Sequence, residues 1–134
     1  MKSRDSLIRL KRFQVEEKRR RVAQIEAMIA EFSRMAGDLE REIALEEQRA
    51  GISDTSHFAY PTYARAARTR RENLLRSADE LRSQLAEAKS HLDEALGELA
   101  KVQTLEGRER STDHAVEANA ALEMNGLGLR AARA

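Results

Sequence analysis

The sequence contains no cysteine, no tryptophan and a single proline, and aromatic residues make up only 4% of it. Without cysteine there is neither a disulfide framework nor a thiolate metal site. No apolar run approaches the ~18 residues of a membrane-spanning helix, and the N-terminus lacks the apolar core of a secretory signal. So few large apolar side chains disfavour a globular core. We therefore expect a cytoplasmic protein built from long helices.

Charged residues are abundant, at 35% of the 134 residues, yet the net charge is only +1. The length allows at most one ordinary domain. Because acidic and basic residues nearly balance, the chain as a whole is not a polycation suited to general nucleic-acid binding. The charge is distributed unevenly along the chain, and this distribution bears on how its segments pair.

Residues 1–50 show the seven-residue repeat of a coiled coil. Stepping by seven from Ile8 reaches only apolar residues, ending at Ala50, and the alternate seam positions are apolar in the middle of the segment. Such a repeat predicts a helix that buries one stripe against a partner helix. The predicted seam residues of this helix are Val15, Val22, Ile25, Ile29, Phe32, Leu39 and Ile43.

Residues 51–61 interrupt the repeat with Gly51, a run of Ser, Asp and Thr, and the only proline, Pro61. Glycine suits the residue just after a helix, and proline is tolerated in a first helical turn. We predict a hinge at 51–61 and a second helix at 62–106 with its own apolar seam. The large residues of that seam are Leu74, Leu81, Leu85, Leu92, Leu99 and Val102.

The two seams match in a single antiparallel register in which the numbers of facing residues sum to 110. Val22 then faces Ala88, and Ile25 faces Leu85. Charge agrees near the hinge, where residues 38–47 carry a net −4 and the facing residues 63–72 a net +3. The predicted fold is all-α, an antiparallel coiled-coil hairpin of two long helices. Residues 107–134 form a C-terminal overhang that is helical at 115–124, ends near 125–128, and then frays into disorder.

The sequence offers no site for catalysis. Gly126 and Gly128 lack the strand, third glycine and lysine of a phosphate-binding loop. His91 with Asp93 and Glu94 supplies at most two ligands on one helix face, too few for a metal. No carboxylate lies in apolar surroundings that would raise its pKa, and a two-helix coiled coil has no concave pocket. We expect no enzyme activity, metal, cofactor or small-molecule substrate.

The hinge and the residues after it carry more aromatic and arginine side chains than a turn requires. One interpretation is that Phe58 and Tyr60 cap the end of the seam. The other is that exposed aromatics beside arginines form a protein-binding tip, since these side chains dominate binding hot spots. The candidate tip residues are Phe58, Tyr60, Tyr63, Arg65, Arg68 and Arg71.

The opposite end of the hairpin is basic, because residues 2–21 carry nine basic and three acidic side chains, a net +6. Apolar residues off the seam either pack locally against the overhang or contact another protein. The basic runs 18–21 and 68–71 are solvated faces, contacts for an anionic protein, or nucleic-acid contacts, and residues 2–21 also suit a lipid surface. The candidate residues of this basic end are Arg4, Leu7, Arg9, Leu10, Lys11, Arg12 and Phe13.

Two stretches resemble a known family: residues 1–20 (MKSRDSLIRLKRFQVEEKRR) and 52–64 (ISDTSHFAYPTYA). They are similar to FliJ proteins of the bacterial flagellar type III export apparatus, in their alphaproteobacterial form. The resemblance covers residues 1 to about 106.

The resemblance implies a non-enzymatic coiled-coil stalk that binds the hexameric export ATPase and the cytoplasmic domain of the membrane export gate, and that recycles export chaperones. It further implies a cytoplasmic protein held peripherally at the inner face of the membrane at the flagellar base. By analogy with rotary stalks, the end with both termini enters the ATPase ring and the tip turns toward the gate. The alternatives are an unrelated coiled-coil adaptor or filament subunit, and a nucleic-acid-binding rod; nucleic acid is not the expected partner.

Overall fold

The computed structural model describes the backbone of residues 2–133 and the side chains of residues 3–124. Helix α1 spans Lys2–Ala50 and helix α2 spans Thr62–Arg133. The described backbone contains no strand. The two helices pack against each other, which confirms the predicted all-α, two-helix fold. They contribute to two compact units, Glu16–Asp93 and Met1–Val15 with Glu94–Ala134.

Helix α1 ends at a glycine cap. Gly51 adopts a left-handed φ of 69°, which a side chain would strain. Its amide N–H donates to the Glu47 carbonyl at 2.9 Å, and the Ile52 amide donates to the same carbonyl at 3.2 Å. These bonds satisfy carbonyls that the helix end leaves without partners. Helix α2 begins one residue after Pro61, whose carbonyl accepts from the Arg65 amide at 3.1 Å.

In the unit formed by Glu16–Asp93, the core lies along the seam between the two helices. Ile25 is 1% exposed and packs in one cluster with Leu81 and Ala88. Val22, Ile29, Phe32 and Leu85 pack against that cluster. The predicted register places the α1 and α2 members of this cluster opposite each other, and their packing in one cluster confirms the antiparallel hairpin. Several of the buried seam residues are alanines, whose small side chains let the helices approach closely. Ala64 and Ala78 are fully buried.

The remaining predicted seam residues of this unit also face inward. Ile43 is buried, and the others are half-buried: Leu39, Leu74 and Leu92.

The unit formed by Met1–Val15 and Glu94–Ala134 continues the same pattern on its own. Ile8, Val15 and Ala95 are buried, while Leu99 and Val102 are half-buried. The Lys11 ammonium pairs with the Glu98 carboxylate at 2.9 Å, and Arg4 pairs with Glu109. These contacts join α1 to α2 in antiparallel order within the unit.

The C-terminal overhang is present, but the predicted helix boundaries within it are wrong. Helix α2 passes through residue 106 and through 125–128 without a break and ends at Arg133. A glycine inside a helix costs about 1 kcal/mol relative to alanine but, unlike proline, keeps its backbone N–H, so Gly126 and Gly128 do not end the helix. Residues 107–124 are exposed. The predicted fraying concerns residues 125–134, whose side chains lie outside the described residues.

Cysteines introduced at Ile29 and Leu81 are expected to form a disulfide within one chain, because Ile29 packs against the cluster that contains Leu81. Non-reducing electrophoresis distinguishes the fast-migrating internal crosslink from a covalent dimer. A cysteine pair at Ile29 and Leu92, which the register does not bring together, serves as the control. Crosslinks only between chains would contradict the hairpin.

Candidate partner-binding sites

The loop between the helices is closed by a series of local hydrogen bonds. The Asp54 carboxylate accepts from the Ser56 hydroxyl at 2.7 Å and from the Ser56 amide at 3.0 Å. These bonds, the hydroxyl first, lower the pKa of Asp54. The Asp54 carbonyl accepts from the His57 amide, and the His57 carbonyl accepts from the Tyr60 amide. The loop therefore holds a defined conformation without a large core of its own.

Phe58 lies in this loop and is 94% exposed. Its ring stacks on the ring of His57, with centroids 4.7 Å apart and planes inclined by 21°. The His57 ring is held in turn, since its Nδ1 accepts the Ala59 amide N–H at 3.0 Å. Phe58 does not cap the seam. It is presented to solvent on an ordered support.

Tyr60 has the opposite environment and is only 5% exposed. Its hydroxyl donates to Glu47 Oε1 at 2.9 Å and accepts from Arg68 Nε at 2.8 Å. Arg68 Nη2 also donates to Glu47 Oε1, at 2.6 Å. These three side chains, hereafter the tip clasp, join the end of α1, the loop and the start of α2. Tyr60 and Arg68 therefore have a structural role at the tip.

The other predicted tip residues are likewise either exposed or held against α1. Tyr63 is 55% exposed, and its hydroxyl donates to Glu42 at 2.6 Å. That bond to the carboxylate raises the pKa of Tyr63. Arg65 is exposed, with its guanidinium 5.3 Å from the centre of the Tyr60 ring. Arg71 is half-buried, 3.5 Å from Glu40, and its Nε is buried without a hydrogen-bond partner.

Three predicted tip residues therefore face outward, and we call them the outer tip. They are Phe58, Tyr63 and Arg65. The sequence pattern gives no sign that Glu47 is the acceptor that holds Tyr60 and Arg68 in place, because residues 38–47 contain five carboxylates with similar local surroundings. Only the antiparallel register brings this particular carboxylate opposite Arg68.

At the basic end, two of the predicted cations are already paired inside the unit. Arg4 pairs with Glu109 and Lys11 with Glu98, and the bond from Lys11 lowers the pKa of Glu98. Arg9 and Arg12 are exposed and form no ion pair among the described residues. They line a groove of about 300 Å³ with Asp5, Ile8, Glu106 and Arg110.

The apolar residues predicted at this end are partly open to solvent. Leu7 is 41% exposed, Leu10 49% and Phe13 54%. Leu105, which the sequence prediction did not include, is 53% exposed in the same unit. Its signal in the sequence is an apolar residue just off the seam of α2, equivalent to the position of Leu7 on α1. Exposed apolar residues beside unpaired arginines are typical of protein-binding surfaces.

Within the described residues, no three His, Asp or Glu side chains are grouped so as to hold a metal ion. Helices long and apolar enough to cross a membrane are likewise not found there.

The tip clasp predicts that stability depends on pH through Glu47. Hydrogen bonds from Arg68 first and Tyr60 second hold the pKa of Glu47 below its ordinary value. The stabilisation from this charge is therefore complete above the ordinary carboxyl pKa of about 4.3 and is lost as the pH falls through the lower pKa of the folded state. We expect the wild type to be more stable than Glu47→Gln at pH 7.

Urea unfolding at neutral and at acidic pH, on both proteins, measures this effect. The difference in free energy of unfolding between the two should shrink on acidification, because both then carry an uncharged side chain at position 47. A difference that stays constant across the pH range would show that the carboxylate charge has no part in the clasp.

Comparison with protein-family models, with curated proteins and with solved structures finds no match to this chain.

Proposed function

We propose that this protein is a non-enzymatic stalk of the bacterial flagellar export apparatus, binding the hexameric export ATPase and the cytoplasmic domain of the export gate and helping to recycle export chaperones. The proposal rests on the resemblance of residues 1–20 and 52–64 to FliJ proteins. The coiled-coil fold of α1 and α2 is compatible with it. Its site of action would be the inner face of the cell membrane at the flagellar base.

The structural observation that supports the proposal is the exposure of Phe58. An ordered loop holds this aromatic ring 94% exposed, and rigidly held aromatic side chains are typical of binding hot spots. The loop that presents it is also one of the two stretches that resemble the family. We assign the outer tip to contact with the export gate.

The basic end supplies the second contact. Arg9 and Arg12 lack carboxylate partners among the described residues, and Leu10 and Phe13 lie exposed beside them. Arginines flanked by apolar side chains suit an acidic protein surface such as the lumen of an ATPase ring. We assign this end to the export ATPase.

Two assays test the proposal. Deletion of the gene is expected to impair swimming, and the purified protein is expected to raise the turnover of the cognate export ATPase while hydrolysing no ATP itself. Normal motility after deletion, together with unchanged ATPase turnover at saturating protein, would rule the proposal out. Such a result would favour an unrelated coiled-coil adaptor.

Matched variants separate the two ends. Phe58→Ala should weaken binding to the gate domain by about 10-fold or more, as expected for a hot-spot aromatic, and leave ATPase stimulation intact. Arg9→Glu with Arg12→Glu should do the reverse. Thr55→Ala, an exposed change in the same loop as Phe58, is the control. Loss of both activities in both variants would point to a general folding defect, which circular dichroism would detect.

A further inference from the structure

In the unit formed by Glu16–Asp93, the two sides of the seam differ in how the helices are joined. On one side, ion pairs link α1 to α2: Glu47 with Arg68 at 2.6 Å and Glu40 with Arg71 at 3.5 Å. On the other side, within this unit, the bond that joins the helices is not an ion pair but a hydrogen bond from the Tyr63 hydroxyl to the Glu42 carboxylate. Positions beside a coiled-coil seam commonly carry charges that pair across it. Among the described residues of this unit, such ion pairs between the helices occur on only one side of the seam, and the other side is therefore a candidate contact surface.

The uncharged part of that side has a defined location. Stepping by seven residues leads from Met28 to Met35 on α1, and from Ser77 to Gln84 on α2. We call these four residues the methionine face. A groove of about 240 Å³ contains Met35 of the first row and Arg70, which stands seven residues before Ser77 in the second row, so the two rows lie on the same side. Its lining residues are Met35, Asp38, Leu39, Glu42, Tyr63 and Arg70.

The side chains of the methionine face are accessible. Met28 is 37% exposed, Gln84 is exposed and Ser77 is half-buried. The half-buried Phe32 adds apolar surface from the seam beneath. Methionine is unbranched and polarizable, and it adapts to the shape of a partner on protein-binding surfaces. The face therefore offers adaptable, uncharged contact area in an otherwise highly charged chain.

Carboxylates border the methionine face on both helices. Glu42 on α1 is bonded only to the Tyr63 hydroxyl, and Glu80 and Glu87 on α2 are exposed and form no ion pair among the described residues. Glu31 and Asp38 also lie on this border, but Arg34 pairs with both. Arg70 on α2 lies on the same side and lines the groove with Glu42, so the border holds three carboxylates without an ion pair against one such arginine among the described residues.

We propose that the methionine face binds a basic amphipathic helix of a partner protein. Such a helix would lie along the groove between α1 and α2, with its apolar stripe over Met28 and Met35. Its arginines and lysines would pair with Glu42, Glu80 and Glu87. A second copy of this chain is disfavoured, because its own carboxylates would meet these. The inference goes beyond the proposed function and does not depend on it.

A synthetic peptide tests this inference directly. The probe is a fluorescent peptide of about three heptads with leucine at the seam positions and arginine at the flanking positions, long enough at about 1.5 Å per residue to cover the face. Fluorescence anisotropy at about 0.15 M salt, where distant surface charges are screened, measures its affinity for the full chain. We expect saturable binding, and none for the same peptide with glutamate in place of arginine.

Two double variants with the same added charge locate the site. Met35→Lys with Gln84→Lys places two cations on the methionine face. Ser33→Lys with Leu75→Lys places two on the opposite side of the seam, at exposed positions. We expect the first to weaken binding at least about 10-fold, equivalent to about 1.4 kcal/mol, and the second to change it less than about twofold.

Each other result counts against the inference. Equal weakening by both variants would show attraction by overall charge alone, and equal binding of the glutamate peptide would show that the carboxylate border is irrelevant. Dimerisation of the wild type that the methionine-face variant abolishes, seen by light scattering, would assign the face to a second copy. Gln84→Lys alone changes only an exposed side chain and repeats the test should the double variant lose its helical signal.

Discussion

Replacing Tyr60 with alanine is expected to lower the free energy of unfolding by about 3–5 kcal/mol, the usual cost of truncating a buried aromatic side chain. Tyr60 is 5% exposed, and its hydroxyl bonds to both Glu47 and Arg68. The alanine variant leaves a cavity at the end of the seam and removes both hydrogen bonds. Urea unfolding followed by circular dichroism at the helical band measures the change.

Two other variants divide this effect into its parts. Tyr60→Phe keeps the ring and removes the hydroxyl, so we expect a loss of about 1–3 kcal/mol from the hydrogen bonds to charged partners. Phe58→Ala lies two residues away but alters an exposed side chain, and it should change stability by no more than about 0.5 kcal/mol. A large loss in Phe58→Ala would contradict the exposed position of that ring.

Replacing Ile25 with alanine is expected to cost about 2–5 kcal/mol, because the seam cannot close around the missing methyl groups. Ile25 is the largest side chain in the described structure that is buried to below 2% exposure. It packs with Leu81 and Ala88 in the core cluster. Small proteins have a total free energy of unfolding of about 5–15 kcal/mol. A cost at the lower end of the expected range would leave the variant folded, with a lower midpoint of urea unfolding.

Controls for Ile25 come from the same helix. Ile25→Val removes one methylene and should cost about 0.5–1.5 kcal/mol. Leu10→Ala removes a side chain of similar volume that is 49% exposed, so it should have little effect. The midpoint of urea unfolding orders the variants. A cost for Leu10→Ala as large as that for Ile25→Ala would mean that the exposed patch at the basic end is covered in solution.

Much of the fold follows from local pattern. The seven-residue repeat from Ile8 and the equivalent repeat in the second helix identified the seam, and their antiparallel register agrees with the cluster of Ile25, Leu81 and Ala88. This worked because a coiled coil buries residues according to their spacing along each helix. The predicted helix end near 125–128 was wrong, because it rested on two glycines alone. Glycine weakens a helix without forbidding it, and a propensity by itself does not locate an end.

The candidate tip residues were harder to interpret. Phe58 and Tyr60 are both aromatic, two residues apart and in the same loop, so no local rule separates them. The structure buries one and exposes the other. Similarly, Arg65, Arg68 and Arg71 are alike in the sequence, yet only Arg65 is exposed at the outer tip, because the carboxylates Glu47 and Glu40 on α1 take up the other two.

The sequence by itself determined the helical class, the position of the hinge and the antiparallel register, because each depends on the period of apolar residues and on glycine and proline at the break. Only the tertiary structure decided which polar and aromatic side chains bond within the protein and which are left exposed to solvent. A side chain's partner lies on the other helix, tens of residues away in the chain: Glu47 meets Arg68 only because α2 folds back along α1. Hydrogen bonding and desolvation act on that spatial neighbourhood, and it is this neighbourhood that separates the tip clasp from the outer tip.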